Sequence, residues 1–338
     1  MIDTTLINAF KLLNATPKNV VITTHHKPDG DAMGSSLALQ LWLEKKGHKV
    51  ELICPTDWAA FLNFLPSSQR ALNYEIDTKT ADKKIIAADA VFCLDFNHPS
   101  RINDLSKALL ASKATKFLID HHQDPYDFCD YVYSRTSACS TSEMIYDLLL
   151  ASDCINDLDK DIATCIYTGI VSDTGRFLHR NTSAHVMHVA SELLKHNIDI
   201  TLINEHLFSN YSIGRLLFIG HCITNCMEVL PEYKTAILRV THQDLKKFNI
   251  QTGDTENLVN YPMMLENINF VALIIDRTVI RKLSLRSKGS FKCNELASKH
   301  FDGGGHINAS GGATHEGLNE AVSRLKALLP DYKEALNY

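Results

Sequence analysis

The chain has 338 residues, of which 45% are hydrophobic and 22% charged, and its formal net charge at pH 7 is −5. At roughly 150 residues per domain, this length predicts two domains, and the ordinary composition excludes a disordered, collagen-like or coiled-coil chain. The acidic balance excludes a broad basic surface for long duplex nucleic acid, and no apolar run reaches the ~18–20 residues of a membrane helix.

Short apolar runs rich in β-branched residues alternate with segments of helical periodicity in the first part of the chain. The runs lie at residues 20–24, 49–54, 90–96, 116–120 and 131–133, and the helical segments at 33–46, 142–150, 161–171 and 182–196. Ser140 and Glu143 predict a capping box before the second of these helices. The alternation predicts βαβ units in a doubly wound, mainly parallel α/β sheet that is covered on both faces.

The second part of the chain predicts a smaller, mixed α/β domain. Apolar runs at residues 234–240, 270–276 and 281–287 precede a glycine-rich loop and a terminal amphipathic helix at 318–329. The stretch up to about residue 217 is mostly helical and polar. We therefore expect a first domain at residues 1–190, a helical connector at 191–217 and a second domain at 218–338.

The nine cysteines are an odd number, scattered mostly inside apolar runs. Disulfide frameworks use paired cysteines in secreted proteins, so we expect reduced, buried thiols. His221 and Cys222, followed by Cys226, lack the paired spacing of a structural zinc site, so buried thiols are expected there too. The first residues also lack the layout of a secretion signal, which makes the cytoplasm the expected location.

Acidic and histidine side chains follow the ends of the predicted strands and one later helix. These residues are His25, Asp29 and Asp31, then Asp95, then Asp120, His121 and His122, and finally Asp173. In an open parallel sheet, ligands bind outside the carboxyl ends of the strands. Any one of these aspartates alone is typical of a helix cap or a turn, but their shared placement favours a single site on one rim of the sheet.

Crowded carboxylates cannot all stay ionised without compensating positive charge, and the chain has few basic residues beside these. Divalent cations are the natural compensation, and oxygen ligands mixed with imidazole suit Mn²⁺, or Mg²⁺ as a harder substitute. Asp29 and Asp31 flank a glycine and could address two ions, while Asp95 ends a central strand and could bridge them. Two ions ~3.5–4 Å apart can generate a hydroxide and clamp a phosphate undergoing in-line displacement.

Four motifs, in this order, resemble those of the DHH phosphoesterase superfamily. They are His25-x-x-Pro28-Asp29-x-Asp31, Asp95, Asp120-His121-His122 and Ser172-Asp173-Thr174-Gly175. The run from Gly303 to Gly312 resembles the signature of the associated DHHA1 domain. Length and motif order are most similar to the bacterial oligoribonucleases (nanoRNases), a subgroup that also dephosphorylates 3′-phosphoadenosine 5′-phosphate.

The resemblance implies six metal ligands and two further residues of the reaction. One Mn²⁺ would be held by His25 and Asp29, and the second by Asp31, His121 and Asp173. Asp95 would bridge the two ions. His122 would face the scissile phosphate, and Asp120 would support the histidine pair from behind.

The second domain carries the candidate substrate-binding residues. Five of the 15 glycines lie between Gly303 and Gly312, and such a loop lets backbone N–H groups approach an anion. Arg286 lies in the densest basic stretch of the chain. The resemblance implies phosphate or base contacts for Arg286, Gly304, Gly305, His306 and Asn308.

These inferences predict a Mn²⁺-dependent phosphodiesterase that hydrolyses dinucleotides such as pApA and pGpG to mononucleotides. The expected partners are short single-stranded RNA and small nucleotides, with neither long duplex nucleic acid nor a membrane. Two alternatives stay open: an inorganic pyrophosphatase or exopolyphosphatase, which shares the first four motifs, and a catalytically inactive nucleotide-binding module. The sequence also leaves open whether the chain forms a homodimer.

Overall fold

The computed structural model describes residues 2–337, whose contacts form two compact units, one ending at Asn210 and the other beginning at Tyr211. The expected fold class, a doubly wound α/β sheet with a smaller mixed α/β domain after it, is confirmed. Among the helices of residues 2–337, none has both the length and the apolar character that crossing a bilayer requires.

The first unit is built on a parallel sheet. Within the described residues its strands are β1 (Asn19–Thr23), β2 (Lys49–Cys54), β3 (Leu72–Asn73), β4 (Ala90–Leu94), β5 (Thr115–Asp120) and β6 (Tyr131–Ser134). They lie in the order β3-β2-β1-β4-β5-β6, and each neighbouring pair is parallel. Strand order therefore reverses between β1 and β4, the point at which open α/β sheets bind ligands.

Helices cover both faces of this sheet. They are α1 (Thr4–Leu13), α2 (Gly30–Lys45), α3 (Thr78–Ile86), α4 (Leu105–Ala111), α5 (Thr141–Ala151), α6 (Lys160–Asp173), α7 (Ala184–Leu194) and α8 (Ile200–Phe208). Ile22 and Phe92 pack with α2, α5 and α6, whereas their neighbours Val21 and Val91 pack with α3 and α4. Burial on both faces explains why the strands are near-continuous apolar runs.

Two helix starts differ from the sequence-based expectation. Helix α2 begins at Gly30 rather than residue 33, because the Asp29 carboxylate caps it by accepting from the amides of Asp31 and Ala32, both at 3.1 Å. At α5 the Ser140 hydroxyl accepts from the Glu143 amide at 3.0 Å. The other half of the predicted capping box is wrong, since Glu143 Oε2 accepts from the Cys139 amide at 2.6 Å.

The second unit contains a mixed sheet. Its strands in the described range are β7 (Met227–Leu230), β8 (Thr235–Val240), β9 (Phe270–Asp276), β10 (Arg281–Ser287), β11 (Gly304–His306) and β12 (Ala309–Thr314), in the order β11-β12-β10-β9-β8-β7. Its helices are α9 (Ile213–His221), α10 (His242–Lys247), α11 (Cys293–His300), α12 (Leu318–Leu328) and α13 (Lys333–Leu336), and a π-helical turn spans Cys222–Cys226. One sheet face packs on α11 and α12, and the other on α9 and α10.

The glycine-rich segment forms the antiparallel hairpin β11–β12 instead of the predicted loop. Glycine is depleted in strands, so its density here indicated a loop. The backbones approach too closely for side chains: a Cβ on Gly303 would lie 2.1 Å from the Gly311 carbonyl oxygen, and one on Gly312 would lie 2.6 Å from that of Phe301. Close packing of the hairpin on its neighbours therefore requires these glycines.

Candidate metal centre

The predicted metal ligands of the first unit lie at the carboxyl edge of its sheet, around the reversal of strand order. His25 follows β1, Asp95 follows β4, and His121 follows β5. The start of α2 supplies Asp29 and Asp31, and the last residue of α6 is Asp173. The structure thus brings together side chains from five elements that are separated by up to 148 positions in the sequence.

Asp95 is the centre of this cluster. Its Oδ2 lies 3.4 Å from His25 Nε2, and its Oδ1 lies 3.4 Å from His121 Nε2. The residue is 2% exposed, and its backbone is left-handed, with φ at 63°. A non-glycine residue rarely adopts this conformation, and such residues occur often at functional sites. The turn directs one carboxylate between two imidazoles.

The remaining predicted ligands form one group on each side of Asp95. On one side His25 Nε2 lies 3.9 Å from Asp29 Oδ1. On the other side His121 Nε2 lies 3.4 Å from Asp173 Oδ2 and 3.9 Å from Asp31 Oδ2. In each group the ligand atoms lie within 4.8 Å of one another. Two adjacent cation sites that share Asp95 fit this arrangement.

Asp120 contacts His122. Its Oδ1 lies 2.7 Å from His122 Nδ1, and its Oδ2 accepts from the His122 amide at 3.2 Å. The side chain of Asp120 is fully buried, whereas that of His122 is 13% exposed. His121 instead has its Nδ1 at 3.4 Å from the Ala138 carbonyl oxygen. Asp120 therefore fixes the ring orientation of His122.

The charge balance of the cluster fits divalent cations. Burial, together with the charge of Asp95, raises the pKa of Asp31 to about 7. Burial and the charges of Asp31 and Asp29 raise the pKa of Asp173 well above its ordinary value. Burial also disfavours the charge on Asp95, but hydrogen bonds from His121 and His25 outweigh it and hold the pKa of Asp95 well below its usual range. Cations that accept oxygen and nitrogen ligands would supply the missing positive charge.

Two residues absent from the sequence-based site contact these carboxylates. The Thr141 amide donates to Asp31 Oδ2 at 2.6 Å, the Ser142 amide donates to Asp31 Oδ1 at 2.9 Å, and the Thr141 hydroxyl donates to Asp95 Oδ1 at 3.0 Å. The sequence marked this segment as the start of a helix, but it held no signal of which groups that start would contact.

Glycines allow the helices that carry the ligands to approach one another. A Cβ on Gly169 of α6 would lie 1.9 Å from Ser142 Oγ and 2.7 Å from Asp31 Oδ1. A Cβ on Gly30 of α2 would lie 2.5 Å from Ser172 Oγ. Side chains at these positions would therefore displace groups that contact or adjoin the predicted ligands.

In the second unit, the register of the sheet aligns two of the predicted substrate-binding residues. Ala309 of β12 pairs with Arg286 of β10 on one side and with His306 of β11 on the other. Directly paired residues point to the same face of a sheet, so Arg286 and His306 share one face. Gly304 and Gly305 lie in β11, beside them.

Asn308 holds the hairpin to the segment after β10. Its Nδ2 donates to Ser287 Oγ at 2.8 Å and to the Phe291 carbonyl oxygen at 3.1 Å. These contacts give the Asn308 amide a structural part in the hairpin.

Asp244 of α10 lies close to His221 and Cys226, with the possible ligand atoms of the three residues within 4.8 Å of one another. His221 Nε2 lies 2.9 Å from Asp244 Oδ1, and Asp244 Oδ2 accepts from the Thr241 amide at 2.9 Å within a capping box. Cys222 is buried as expected, whereas Cys226 is only half-buried, and a hydrogen bond with Cys222 lowers the pKa of Cys226 to about 7. Pairing of His221 with Asp244 and capping of α10 account for these contacts.

The family models match both units. The model described as "DHH family, N-terminal domain" matches residues 19–170, and the DHHA1 domain model matches residues 233–332. The chain belongs to the DHH phosphoesterase family and is a hydrolase acting on phosphodiester bonds. DHH phosphoesterases use divalent metals, a requirement that the donor set around Asp95 fits.

Similar proteins cover nearly the whole chain. A probable bifunctional oligoribonuclease and PAP phosphatase NrnA from Streptococcus mutans is 30% identical over 96% of this chain and 100% of its own length. The bifunctional oligoribonuclease and PAP phosphatase NrnA of Bacillus subtilis is 29% identical, covering 88% and 89%. The crystal structure of an exopolyphosphatase-related protein from Bacteroides fragilis is 37% identical, with a TM-score of 0.94 and coverage of 100% and 99%.

Proposed function

We propose that this protein is a Mn²⁺-dependent phosphodiesterase that hydrolyses very short oligoribonucleotides to mononucleotides. Dinucleotides such as pApA and pGpG are its main substrates, and 3′-phosphoadenosine 5′-phosphate is a second one. The observation that carries the proposal is the complete set of carboxylates and imidazoles around Asp95. The similarity to the oligoribonuclease and PAP phosphatase relatives supports the choice of substrate.

Each predicted ligand has a part in holding two ions. His25 and Asp29 would hold one ion, Asp31, His121 and Asp173 would hold the other, and Asp95 would contribute one carboxylate oxygen to each. Bound in this way, a pair of Mn²⁺ or Mg²⁺ ions supplies charge stabilisation for the phosphate and activates water for attack. Carboxylate oxygen and imidazole nitrogen are the donors that favour Mn²⁺.

His122 acts on the substrate through an orientation set by Asp120. Because Asp120 Oδ1 lies 2.7 Å from His122 Nδ1, the ring presents Nε2 on its opposite side. We assign Nε2 a hydrogen bond to the scissile phosphate, which stabilises the charge that develops there. Asp120 is the positioning residue for this contact: it accepts the Nδ1 proton and orients the ring, and the doubly protonated imidazolium carries a second proton on Nε2 to donate.

The division of labour follows the two domains. We assign residues 1–190 to metal binding and chemistry, 191–217 to the connector and 218–338 to substrate binding. Arg286 and His306, on one sheet face, would contact the terminal phosphate or base, with Gly304 and Gly305 offering close backbone approach and Asn308 keeping the hairpin in shape. The net charge of −5 favours short single strands over long duplexes, and the nine free thiols favour the cytoplasm.

A polyphosphate substrate is the second candidate, because a protein 37% identical to this chain is described as exopolyphosphatase-related. A catalytically inactive nucleotide-binding module is disfavoured, because such a module has no need of every metal ligand. The three functions predict different products: mononucleotides from dinucleotides, orthophosphate from polyphosphate, or no product from either.

A substrate panel tests the proposal. The protein is freed of metal by chelation, then incubated with Mn²⁺ or Mg²⁺ and pApA, pGpG, longer RNA, 3′-phosphoadenosine 5′-phosphate, pyrophosphate or polyphosphate. We expect the highest kcat/KM on the dinucleotides with Mn²⁺ and no turnover after chelation. A preference for polyphosphate would replace the proposal with the second candidate, and turnover in the chelated protein would refute the metal requirement. Light scattering on the same preparation distinguishes a monomer from a homodimer.

A further inference from the structure

Thr141 contacts two carboxylates of the metal centre that come from different elements. Its amide donates to Asp31 of α2 at 2.6 Å, and its hydroxyl donates to Asp95, after β4, at 3.0 Å. All three residues are buried, with exposures of 0% for Thr141 and Asp31 and 2% for Asp95. Water therefore cannot replace either contact without a rearrangement of the site.

The hydroxyl of Thr141 differs from the other donors around Asp95. His25 and His121 contact Asp95 through their Nε2 atoms, and a neutral imidazole that gives Nε2 to a cation no longer has a proton there to donate. The hydroxyl of Thr141 keeps its proton in either state. It is thus a contact to Asp95 that persists when the two histidines act as ligands.

The hydroxyl also has a geometric consequence. Asp95 has a left-handed backbone, so its position depends on the surroundings rather than on a regular strand. A directed hydrogen bond to Oδ1 restricts rotation of the carboxylate and leaves lone pairs on both oxygens for cations. Holding a ligand in its productive orientation before binding reduces the entropy lost on binding.

We propose that Thr141 is a positioning residue of the metal centre, which fixes the Asp95 carboxylate through its hydroxyl and the Asp31 carboxylate through its amide. This inference rests on the proposed metal-dependent function. Its direct consequence is a higher affinity for the ions, and its effect on turnover follows from that affinity. The hydroxyl can be removed without changing the amide or the side-chain shape, so the two contributions can be separated.

The test compares T141V, T141S and a matched control, T168V. Valine has the shape of threonine without the hydroxyl, and serine keeps the hydroxyl without the methyl group. Thr168 is also fully buried, but its hydroxyl donates at 2.8 Å to the Thr164 carbonyl oxygen within α6. Titration of the metal-free proteins with Mn²⁺, followed by the electron paramagnetic resonance signal of the free ion, measures affinity independently of activity.

We expect T141V to bind Mn²⁺ about 10- to 100-fold more weakly than the unsubstituted protein, the usual effect of losing a residue that orients a ligand. T141S and T168V should bind nearly as tightly as the unsubstituted protein. Equal affinities for T141V and T168V would overturn the proposal, and so would equal losses in T141V and T141S, which would point to packing of the methyl group. If T141V does not fold, as judged by circular dichroism, T141A against T141S gives the same comparison.

The two proposals fail in different ways. If the unsubstituted protein binds Mn²⁺ but does not cleave pApA, the assigned substrate is wrong and the affinity series still tests Thr141. If pApA is cleaved and the affinity series shows no effect, Thr141 has no positioning role and the assigned function stands.

Discussion

Gly169→Ala should disrupt the metal centre through the face of helix α6 that packs against Asp31 and Ser142. The added Cβ would lie 1.9 Å from Ser142 Oγ and 2.7 Å from Asp31 Oδ1, although real Cβ atoms essentially never approach within 3.0 Å. Overpacking of this kind costs about 1–3 kcal/mol. At roughly 2–4 °C per kcal/mol for a unit of 150–250 residues, we expect the melting temperature of the metal-free first unit to fall by about 2–12 °C.

The displacement caused by the added Cβ also affects the predicted metal ligand Asp31. Either α6 or the Ser142 side chain must move by about 1 Å, and Asp31 accepts hydrogen bonds from both Thr141 and Ser142. We therefore expect weaker Mn²⁺ binding together with the lower melting temperature. Calorimetry with and without Mn²⁺ measures both, because a ligand that binds the folded state raises its stability according to its affinity.

Gly220→Ala provides the control for a glycine in a helix. A Cβ at Gly220 in α9 meets nothing within 4 Å, so this variant should keep its Mn²⁺ affinity and melt at the same or a higher temperature, alanine being favoured over glycine in helices by up to ~1 kcal/mol. If Gly169→Ala behaved like Gly220→Ala in both measurements, the close approach of α6 to Asp31 would not matter to the site.

Three further predictions concern other parts of the molecule. Asp95→Ala should abolish turnover and leave the protein unable to bind two Mn²⁺ ions, whereas Asp120→Ala should keep both ions and lose about 10- to 100-fold in kcat. Isothermal titration counts the ions, and steady-state kinetics measures kcat. An active Asp95→Ala variant would exclude a bridging carboxylate. Because the pKa of Asp31 is raised to about 7, the folded metal-free protein holds a proton that the unfolded chain has lost. Its free energy of unfolding should thus fall as the pH rises from about 4 to about 7, while Mn²⁺ binding strengthens. Urea unfolding measures this free energy at each pH, and its dependence on pH should be weaker in Asp31→Asn. An unchanged pH dependence in that variant would contradict the raised pKa of Asp31. Arg286→Ala and His306→Ala should each lower kcat/KM for pApA by about 10- to 150-fold, corresponding to a charge-assisted hydrogen bond of ~1.5–3 kcal/mol. Their kcat/KM for bis-p-nitrophenyl phosphate should change much less. Equal losses on both substrates would show that these residues support the folded structure rather than substrate binding.

The sequence alone determined the fold class and the identity of the residues in the cluster. Strands buried on both faces must be apolar along their whole length, and helices must carry a periodic apolar face, so both patterns can be read locally. Because parallel strands end at one edge of their sheet, the placement of His25, Asp95 and His121 after strands already predicted that they would meet.

The tertiary structure decided which groups the cluster contacts and how closely. Thr141 lies 110 positions from Asp31 and 46 from Asp95, and Gly169 matters only because α6 crosses beside them. Neighbouring backbones leave no room for a Cβ on Gly303 or Gly312, so the segment packs as a hairpin, although its density of glycine indicated a loop. The Glu143 carboxylate accepts from the Cys139 amide rather than from the Ser140 amide that a capping box would use. For Thr141 and Gly169 the outcome depends on atoms that packing brings together from distant parts of the chain, and local sequence patterns carry no record of such distances.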